Sequence, residues 1–303
     1  MGEPAGIGPE IAVKAYELLG GAIGGHPIKL VGDPDVFLGC GPVPLRDIMA
    51  TRHSAQRIAG KPNSKGAPAV SEAIEKSVAA AMAGEAAGVV TGPINKAVLA
   101  EAGFRFAGHT EYLAHLTGSR RAVMMLCGAG LRAVPLTIHI PVAEIASAIS
   151  TDSIVETGEI VLAALSRDFA VREPRLAVAG LNPHAGEEGL LGTEEHDIIA
   201  PAVARLRQSG ANVVGPLPAD SMFHAEARVQ YDAALCMFHD QALIPVKALA
   251  FWEGVNVTLG LPIVRTSPDH GTAFDVAGRG TADPRSMVAA IRLAAQMADA
   301  RTG

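Results

Sequence analysis

Four histidines each close an aliphatic run: His109 in AGHTE, His139 in TIHIPV, His184 in LNPHAGE and His239 in MFHDQ. Neutral imidazole is a common ligand for Zn, Co, Ni or Fe, and three such nitrogens leave positions open for water or substrate. His139, His184 and His239 lie far apart in the chain, so no local zinc motif supports them. Spacing alone leaves metal ligation open beside two other roles, a satisfied core histidine and an active-site hydrogen-bond donor.

Other chemistry-bearing residues gather in four segments. In NPHAGEEGLLGTEE, 182–195, Thr193, Glu194 and Glu195 suit a helical first turn, while the preceding loop could present His184. In GPLPADSMF, 215–223, Pro216 and Pro218 stiffen the chain before Asp220, which suits either a functional carboxylate or the N-cap of a helix over 221–229. From 239 to 271, Asp240, Lys247, Asn256, Arg265 and Asp269 stand isolated among aliphatic residues. Cations in such surroundings need a partner, either a carboxylate of their own or one anionic ligand on which Lys247, Asn256 and Arg265 converge. In HGTAFDVAGRGTADP, 270–284, Gly271, Gly278 and Gly280 allow close backbone approach to a ligand, and Asp275 or Asp283 could accept from ribose hydroxyls. The dinucleotide fingerprint is absent as a strand-turn-helix unit, because GIG at 6–8 is followed by Pro9 and Glu10.

Aliphatic runs that could position these residues are IKLVG at 28–32, AGVVTGP at 87–93, RAVMMLCG at 121–128, LRAVPLTIHIPV at 131–142, RLAVAGLNPHAG at 175–186 and AALCMFHD at 233–240. Their alternation with helix-like stretches predicts βα units around a largely parallel sheet. Only AG separates the runs at 121–128 and 131–142, so an antiparallel hairpin is the alternative there. Helices are expected over about 9–20, 68–84, 95–102, 110–117, 143–149, 152–168, 194–209 and 284–299. The segment 59–67 reads as a surface loop. The glycine-rich turn GEPAGIG at 2–8 looks like a loop that follows a strand, so either a strand precedes Met1 or the sheet begins elsewhere.

Composition narrows the function classes. With 303 residues, 49% of them hydrophobic and 18% charged, the chain is long enough for two domains. Its 25 basic residues against 31 acidic ones form no long cationic stripe, which argues against a general nucleic-acid or anionic-membrane surface. Cys40, Cys127 and Cys236 show no paired spacing, and neither a signal peptide nor a spanning helix is readable, so a cytoplasmic protein is expected.

Taken together, the ordered blocks GEPAGIGPE, TGPINK, GHTEYLA, HIPV, GLNPHAGEEGLLGTEE, GPLPADSMF, FHDQALIPVK and VNVTLGLPIVRTSPDHGTAFDVAGRGTAD cover nearly the whole chain. On them it resembles the 4-hydroxythreonine-4-phosphate dehydrogenase, or PdxA, family, within the wider isocitrate/isopropylmalate dehydrogenase-like fold group. The resemblance implies two α/β/α domains with largely parallel sheets and an active-site cleft between them. Residues 1–105 plus 250–303 would form the cofactor side, and 106–249 the domain with the metal ligands and dimer contacts.

It further implies one divalent metal, Zn, Mg or Co, held by His139, His184 and His239 in a homodimer whose active site is shared between subunits. Substrate contacts would be His109, Thr110, Lys247, Asn256 and Arg265, with Asp220 and Lys247 in catalytic roles. Gly271, Thr272, Asp275 and Asp283 would bind NAD, with NADP the alternative. The implied reaction oxidises the 3-hydroxyl of 4-phosphohydroxy-L-threonine and decarboxylates the product to 3-amino-2-oxopropyl phosphate, in pyridoxal 5'-phosphate biosynthesis. Same-family alternatives act on threonate or erythronate 4-phosphate or on an aromatic cis-dihydrodiol; a metal- or metabolite-binding module without turnover is the alternative of another class. Family members also carry a strand of about ten residues before the first glycine loop.

Overall fold

The computed structural model describes residues 1–106 and 108–302. They divide into two compact units, one of Met1–Ala122 with Leu261–Thr302 and one spanning Val123–Gly260.

In the first unit the strands are short. Strand β1 (Leu30–Gly32) pairs in parallel with β2 (Ile48–Ala50), and β3 (Val89–Val90) pairs in parallel with β10 (Arg265–Pro268), Arg265 opposite Val89. Around them pack α1 (Gly8–Leu18), α2 (Ala67–Met82) and the final helix α8 (Arg285–Thr302). Pro9 occupies the first turn of α1, where its missing amide hydrogen leaves no bond unmade. Two shorter helices, α3 (Lys96–Glu101) and α4 (His109–Thr117), follow the TGPINK and GHTE motifs. Asn95 caps α3 by accepting from the Val98 amide. The amino group of Met1 donates to the Val31 carbonyl, and an apolar cavity of about 510 Å³ lined by Leu30, Val31, Val89, Val90, Met287 and Ile291 lies beside it.

The second unit is a six-stranded sheet in the order β9-β4-β5-β8-β6-β7. Its strands are β4 (Val123–Gly128), β5 (Leu131–Thr137), β6 (Arg175–Ala179), β7 (Asn212–Leu217), β8 (Ala233–Phe238) and β9 (Val255–Leu259). Strands β5, β8, β6 and β7 run parallel, whereas β4 is antiparallel to both β5 and β9. The two-residue connection at 129–130 therefore makes the hairpin that its brevity allowed, with Ala129 and Gly130 both at positive φ. Five of the six residues of β8 are buried, which is why this central strand is aliphatic on both faces. Helices α5 (Thr151–Phe169), α6 (Ala200–Gln208) and α7 (His239–Ala250) complete the unit. Ser150 and Ser153 form a reciprocal capping box at the start of α5.

The mixed α/β architecture and the predominance of parallel strands agree with the expected fold class. Several local expectations change. The run at 175–186 is a strand only to Ala179, and the residues from Pro183 form an irregular turn. The helix expected from 194 begins as a π-turn over Glu195–Ile199 before α6. No helix spans 221–229; Asp220 lies exposed in a short 3-10 turn, Ala219–Ser221, and a single helical turn follows at Ala225–Arg228. Among the described residues no helix is long and apolar enough to cross a membrane.

Candidate active site

In the second unit, three histidines follow three neighbouring parallel strands. His139 comes two residues after β5, His239 directly after β8, and His184 five residues after β6. Because β5, β8 and β6 are adjacent and point the same way, all three imidazoles belong to the carboxyl end of one sheet, where open α/β sheets bind their ligands. Side chains tie these strand ends together. Thr137 Oγ1 donates to the Met237 carbonyl at 2.8 Å, and Gln241 bridges β8 to β6 by accepting from the Met237 amide and donating to the Gly180 carbonyl.

The rings of His139 and His239 lie 5.8 Å apart, centre to centre. Two imidazoles sharing a cation at the usual metal–nitrogen length of about 2.0–2.1 Å have ring centres about 5 Å apart, so this pair is near ligating separation. His239 Nδ1 is 2.7 Å from Asp240 Oδ1. A carboxylate at Nδ1 favours the tautomer that leaves Nε2 as the ligating lone pair, a common second partner for metal-bound histidine. His184 stands exposed on its turn, and among the described residues no three potential ligands lie close enough to form a closed set. The donor chemistry and the shared sheet end fit a divalent metal, with two imidazoles drawn together and the third on the next strand.

The turn carrying His184 is unusual. His184, Ala185, Gly186, Glu187 and Glu188 all have positive φ, between 42° and 81°. Four of these are not glycine, and each such residue costs about 1–2 kcal/mol relative to right-handed backbone. Such strain persists where surrounding contacts over-determine it, and it concentrates at functional sites.

The first unit contains a cationic cluster. His109 opens α4, and Thr110 lies in its first turn. Arg265, at the start of β10, is 3% exposed and donates from Nη2 to Thr91 Oγ1 at 2.6 Å. Burial lowers its pKa from the ordinary 12.5 to about 10. His109 is held well below the usual imidazole pKa, chiefly by burial and then by the neighbouring charges of Arg265, the amino terminus and Lys96. Its Nε2 is buried without a hydrogen-bond partner, a donor or acceptor available to a ligand. Lys96 Nζ and Glu111 Oε2 both approach Gly108 at the head of α4. Cations around a helix amino terminus suit a phosphate or carboxylate.

The candidate cofactor loop belongs to the same unit. The Thr272 carbonyl accepts from the Ile7 amide, and a Cβ on Gly6 would come within 2.8 Å of that carbonyl oxygen, which explains the glycine. Lys14 donates to the carbonyls of Gly280 and Ala282 at 2.8 Å each, and the Glu10 carboxylate accepts from the Gly278 amide. Gly271 and Asp275 are exposed. Asp283 accepts from the Arg285 amide and is clasped by its guanidinium, so its carboxylate is already engaged where α8 begins.

Within the second unit the remaining residues are dispersed. Asn256 pairs with Leu126, which pairs with Ala133, itself opposite Ala234. At about 3.3 Å per residue, that rung is roughly 13 Å below Thr137 and the histidine end. Lys247 is half-buried on α7, eight residues and so about 12 Å along the helix from His239. Sequence reasoning missed Lys96 and Gln241, noted Asp240 only as an isolated polar residue, and treated Glu195 only as a first-turn acid. Lys96 lay inside the TGPINK block, and Asp240 beside a flagged histidine. Gln241 carried no signal.

One unit is thus a mixed sheet with histidines at the carboxyl end of its parallel strands, and the other carries a buried cationic cluster at a helix start and a glycine-rich loop, features of an α/β protein. Residues 38–294 match the model of the pyridoxal phosphate biosynthetic protein PdxA. A 4-hydroxythreonine-4-phosphate dehydrogenase of Caulobacter vibrioides is 50% identical, the match covering 99% of this chain and 96% of that protein. The crystal structure of the corresponding Klebsiella pneumoniae dehydrogenase superposes with a TM-score of 0.86 at 37% identity, covering 98% of each chain. A terephthalate 1,2-cis-dihydrodiol dehydrogenase from Burkholderia xenovorans is also similar, with a TM-score of 0.68, 29% identity, and 98% and 96% of the two chains covered. The chain belongs to the PdxA family.

Proposed function

We propose that this protein is an NAD-dependent, divalent-metal-dependent dehydrogenase that oxidises 4-phosphohydroxy-L-threonine at its 3-hydroxyl and releases CO2 to give 3-amino-2-oxopropyl phosphate. The observation that carries this reading is the close pair of strand-end imidazoles, His139 and His239, together with the buried cationic residues at the start of α4. Substrate and relatives' names point the same way, since the matched Caulobacter and Klebsiella proteins are named for this activity.

In this reading the first unit takes the cofactor and the substrate's anionic groups, and the second holds the metal. His139, His184 and His239 hold the cation. When bound, the divalent ion lowers the pKa of the substrate hydroxyl and polarises its oxygen. NAD, held by the loop around Gly271 and Thr272, would supply the acceptor for the hydride carried by the hydroxyl-bearing carbon. Arg265 and Lys96 bind the anionic groups as cations, while Thr110 and neutral His109 provide hydrogen bonds that orient them. Asp220 is assigned to receive the hydroxyl proton, and Lys247, about 12 Å along α7 from His239, is left without a part in that step. Gly271 and Thr272 line the cofactor loop, and Asp275 takes the ribose hydroxyls. Asp283 acts there only if Arg285 yields it. Loss of CO2 then leaves its bonding electron pair on the substrate, which is protonated to the amino-ketone product.

A homodimer completes the site in this proposal. Each histidine segment carries exposed aliphatic residues: Ile140 and Val142 after His139, Leu190 and Leu191 after His184, and Ile244 after His239. Such apolar surface beside the exposed His139 and His184 and the half-buried His239 suits burial against a second copy.

The test is NADH formation by purified, metal-loaded protein on each candidate substrate. Turnover on the phosphorylated hydroxy amino acid supports the proposal. Strong turnover on a dihydrodiol dicarboxylate alone would favour the second reading, which the similarity to the Burkholderia dihydrodiol dehydrogenase supplies.

A further inference from the structure

Glu195 is a charged side chain in an interior position, only 5% exposed. Its Oε1 accepts from two successive backbone amides, Leu181 and Asn182, each at 2.7 Å, directly after β6. Its Oε2 accepts from Asn182 Nδ2 at 2.9 Å, and Asn182 Nδ2 also donates to Glu194 Oε2 at 2.7 Å. The carboxylate thus satisfies the chain where it leaves the sheet, immediately before the left-handed turn that carries His184.

The turn is built around this group from its other side as well. A Cβ on Gly186 would stand 2.6 Å from Glu195 Oε2, and one on Gly180 would stand 3.1 Å from Oε1. Gly186 has φ +81° and its neighbours His184 and Ala185 are also left-handed, so the backbone folds tightly over the carboxylate. Glu195 itself opens the π-turn Glu195–Ile199, an irregularity frequent at functional sites because it redirects one side chain out of helical register. Here that side chain reaches back to the strand end.

We infer that Glu195 is a positioning residue for His184, its buried carboxylate fixing the left-handed turn so that the imidazole is held at the carboxyl end of the sheet with His139 and His239. This rests on the proposed role of the three histidines as metal ligands. It assigns Glu195 no contact with the metal or substrate. Supporting groups behind metal ligands typically contribute about 10–100-fold to affinity.

The experiment titrates the full chain with cobalt(II), reading the visible ligand-field spectrum, then displaces cobalt with zinc to obtain dissociation constants. Glu195→Gln keeps the shape and one acceptor oxygen but sets its amide nitrogen against Asn182 Nδ2, donor facing donor. Glu195→Ala removes every contact, and Gly186→Ala presses on the carboxylate from the turn. Zinc affinity is expected to fall at least tenfold in Glu195→Ala and Gly186→Ala, with Glu195→Gln intermediate and its cobalt spectrum altered. Should Glu195→Ala fail to fold, the other two variants carry the test. A merely structural glutamate would lower the unfolding temperature yet leave affinity and spectrum unchanged in folded Glu195→Gln and Gly186→Ala, and that result would overturn the inference. Wild-type protein that takes up no cobalt would overturn the metal reading itself, before any substitution is made, and the positioning role with it.

Discussion

Replacing Arg265 with methionine separates binding from stability. The guanidinium is buried at the start of β10, and burial takes its pKa from 12.5 down to about 10. A difference of that size corresponds to about 3 kcal/mol by which the fold disfavours the charge in the absence of a ligand. Methionine removes that penalty and retains much of the apolar stem. It also removes the bond from Nη2 to Thr91 Oγ1, and a hydrogen bond to a charged group contributes about 1.5–3 kcal/mol. These effects oppose each other, so the unliganded variant should lie within about 2 kcal/mol of wild type. Substrate binding has no such offset. Loss of a charge-assisted contact of the same 1.5–3 kcal/mol should raise KM about 10–150-fold. Inorganic phosphate should also raise the unfolding temperature of wild type more than that of the variant. Steady-state kinetics and thermal scans with and without phosphate measure both quantities. An unchanged KM combined with a stability loss above about 4 kcal/mol would refute the reasoning and make Arg265 a structural cation.

Acid stability should depend on His109. Its folded pKa lies well below the ordinary imidazole value, so as pH falls below about 6.5 the unfolded chain gains a proton that the folded chain refuses, and stability declines. His109→Gln should remove that part of the slope while leaving the curve flat above pH 7; parallel wild-type and variant profiles between pH 5 and 6.5 would contradict it. Lys14→Met deprives the Gly280 and Ala282 carbonyls of their donor and should raise KM for NAD severalfold with little change in KM for substrate, which initial rates at varied cofactor will show. If the exposed Ile140, Val142, Leu190 and Ile244 are covered by a second copy, Leu190→Glu should shift sedimentation towards monomer and reduce activity in parallel. A fully active monomer would remove the shared site.

The strand ends were legible because buried parallel strands are uniformly aliphatic and His139, His184 and His239 each follow such a run, whereas His109 opens helix α4 with no strand directly before it among the described residues. The sequence could not show that β5, β8 and β6 are neighbours, since strand order is set by long-range pairing. Helix α7 escaped notice because Pro245 lies inside it and its first residue reads as the end of β8. Asp283 looked like a ribose ligand, yet its position just before α8 carried the ordinary signal of a helix cap, and Arg285 now engages it. Asp220 kept its place after the stiffened Gly-Pro-Leu-Pro turn but not the helix expected to follow. Glu195 was hidden for a different reason: its role depends on a turn in left-handed backbone that four non-glycine residues would not suggest.

In the proposed enzyme three strand-end imidazoles hold one divalent cation on which the oxidation depends. Metal analysis of purified protein after cobalt or zinc loading, run in parallel with NADH formation for wild type, His139→Ala, His184→Ala and His239→Ala, tests this directly. Wild type should bind one ion per chain, and each variant should lose metal and turnover together with the fold retained. Full metal occupancy in any of the three variants, or undiminished turnover by metal-stripped wild type, would contradict it.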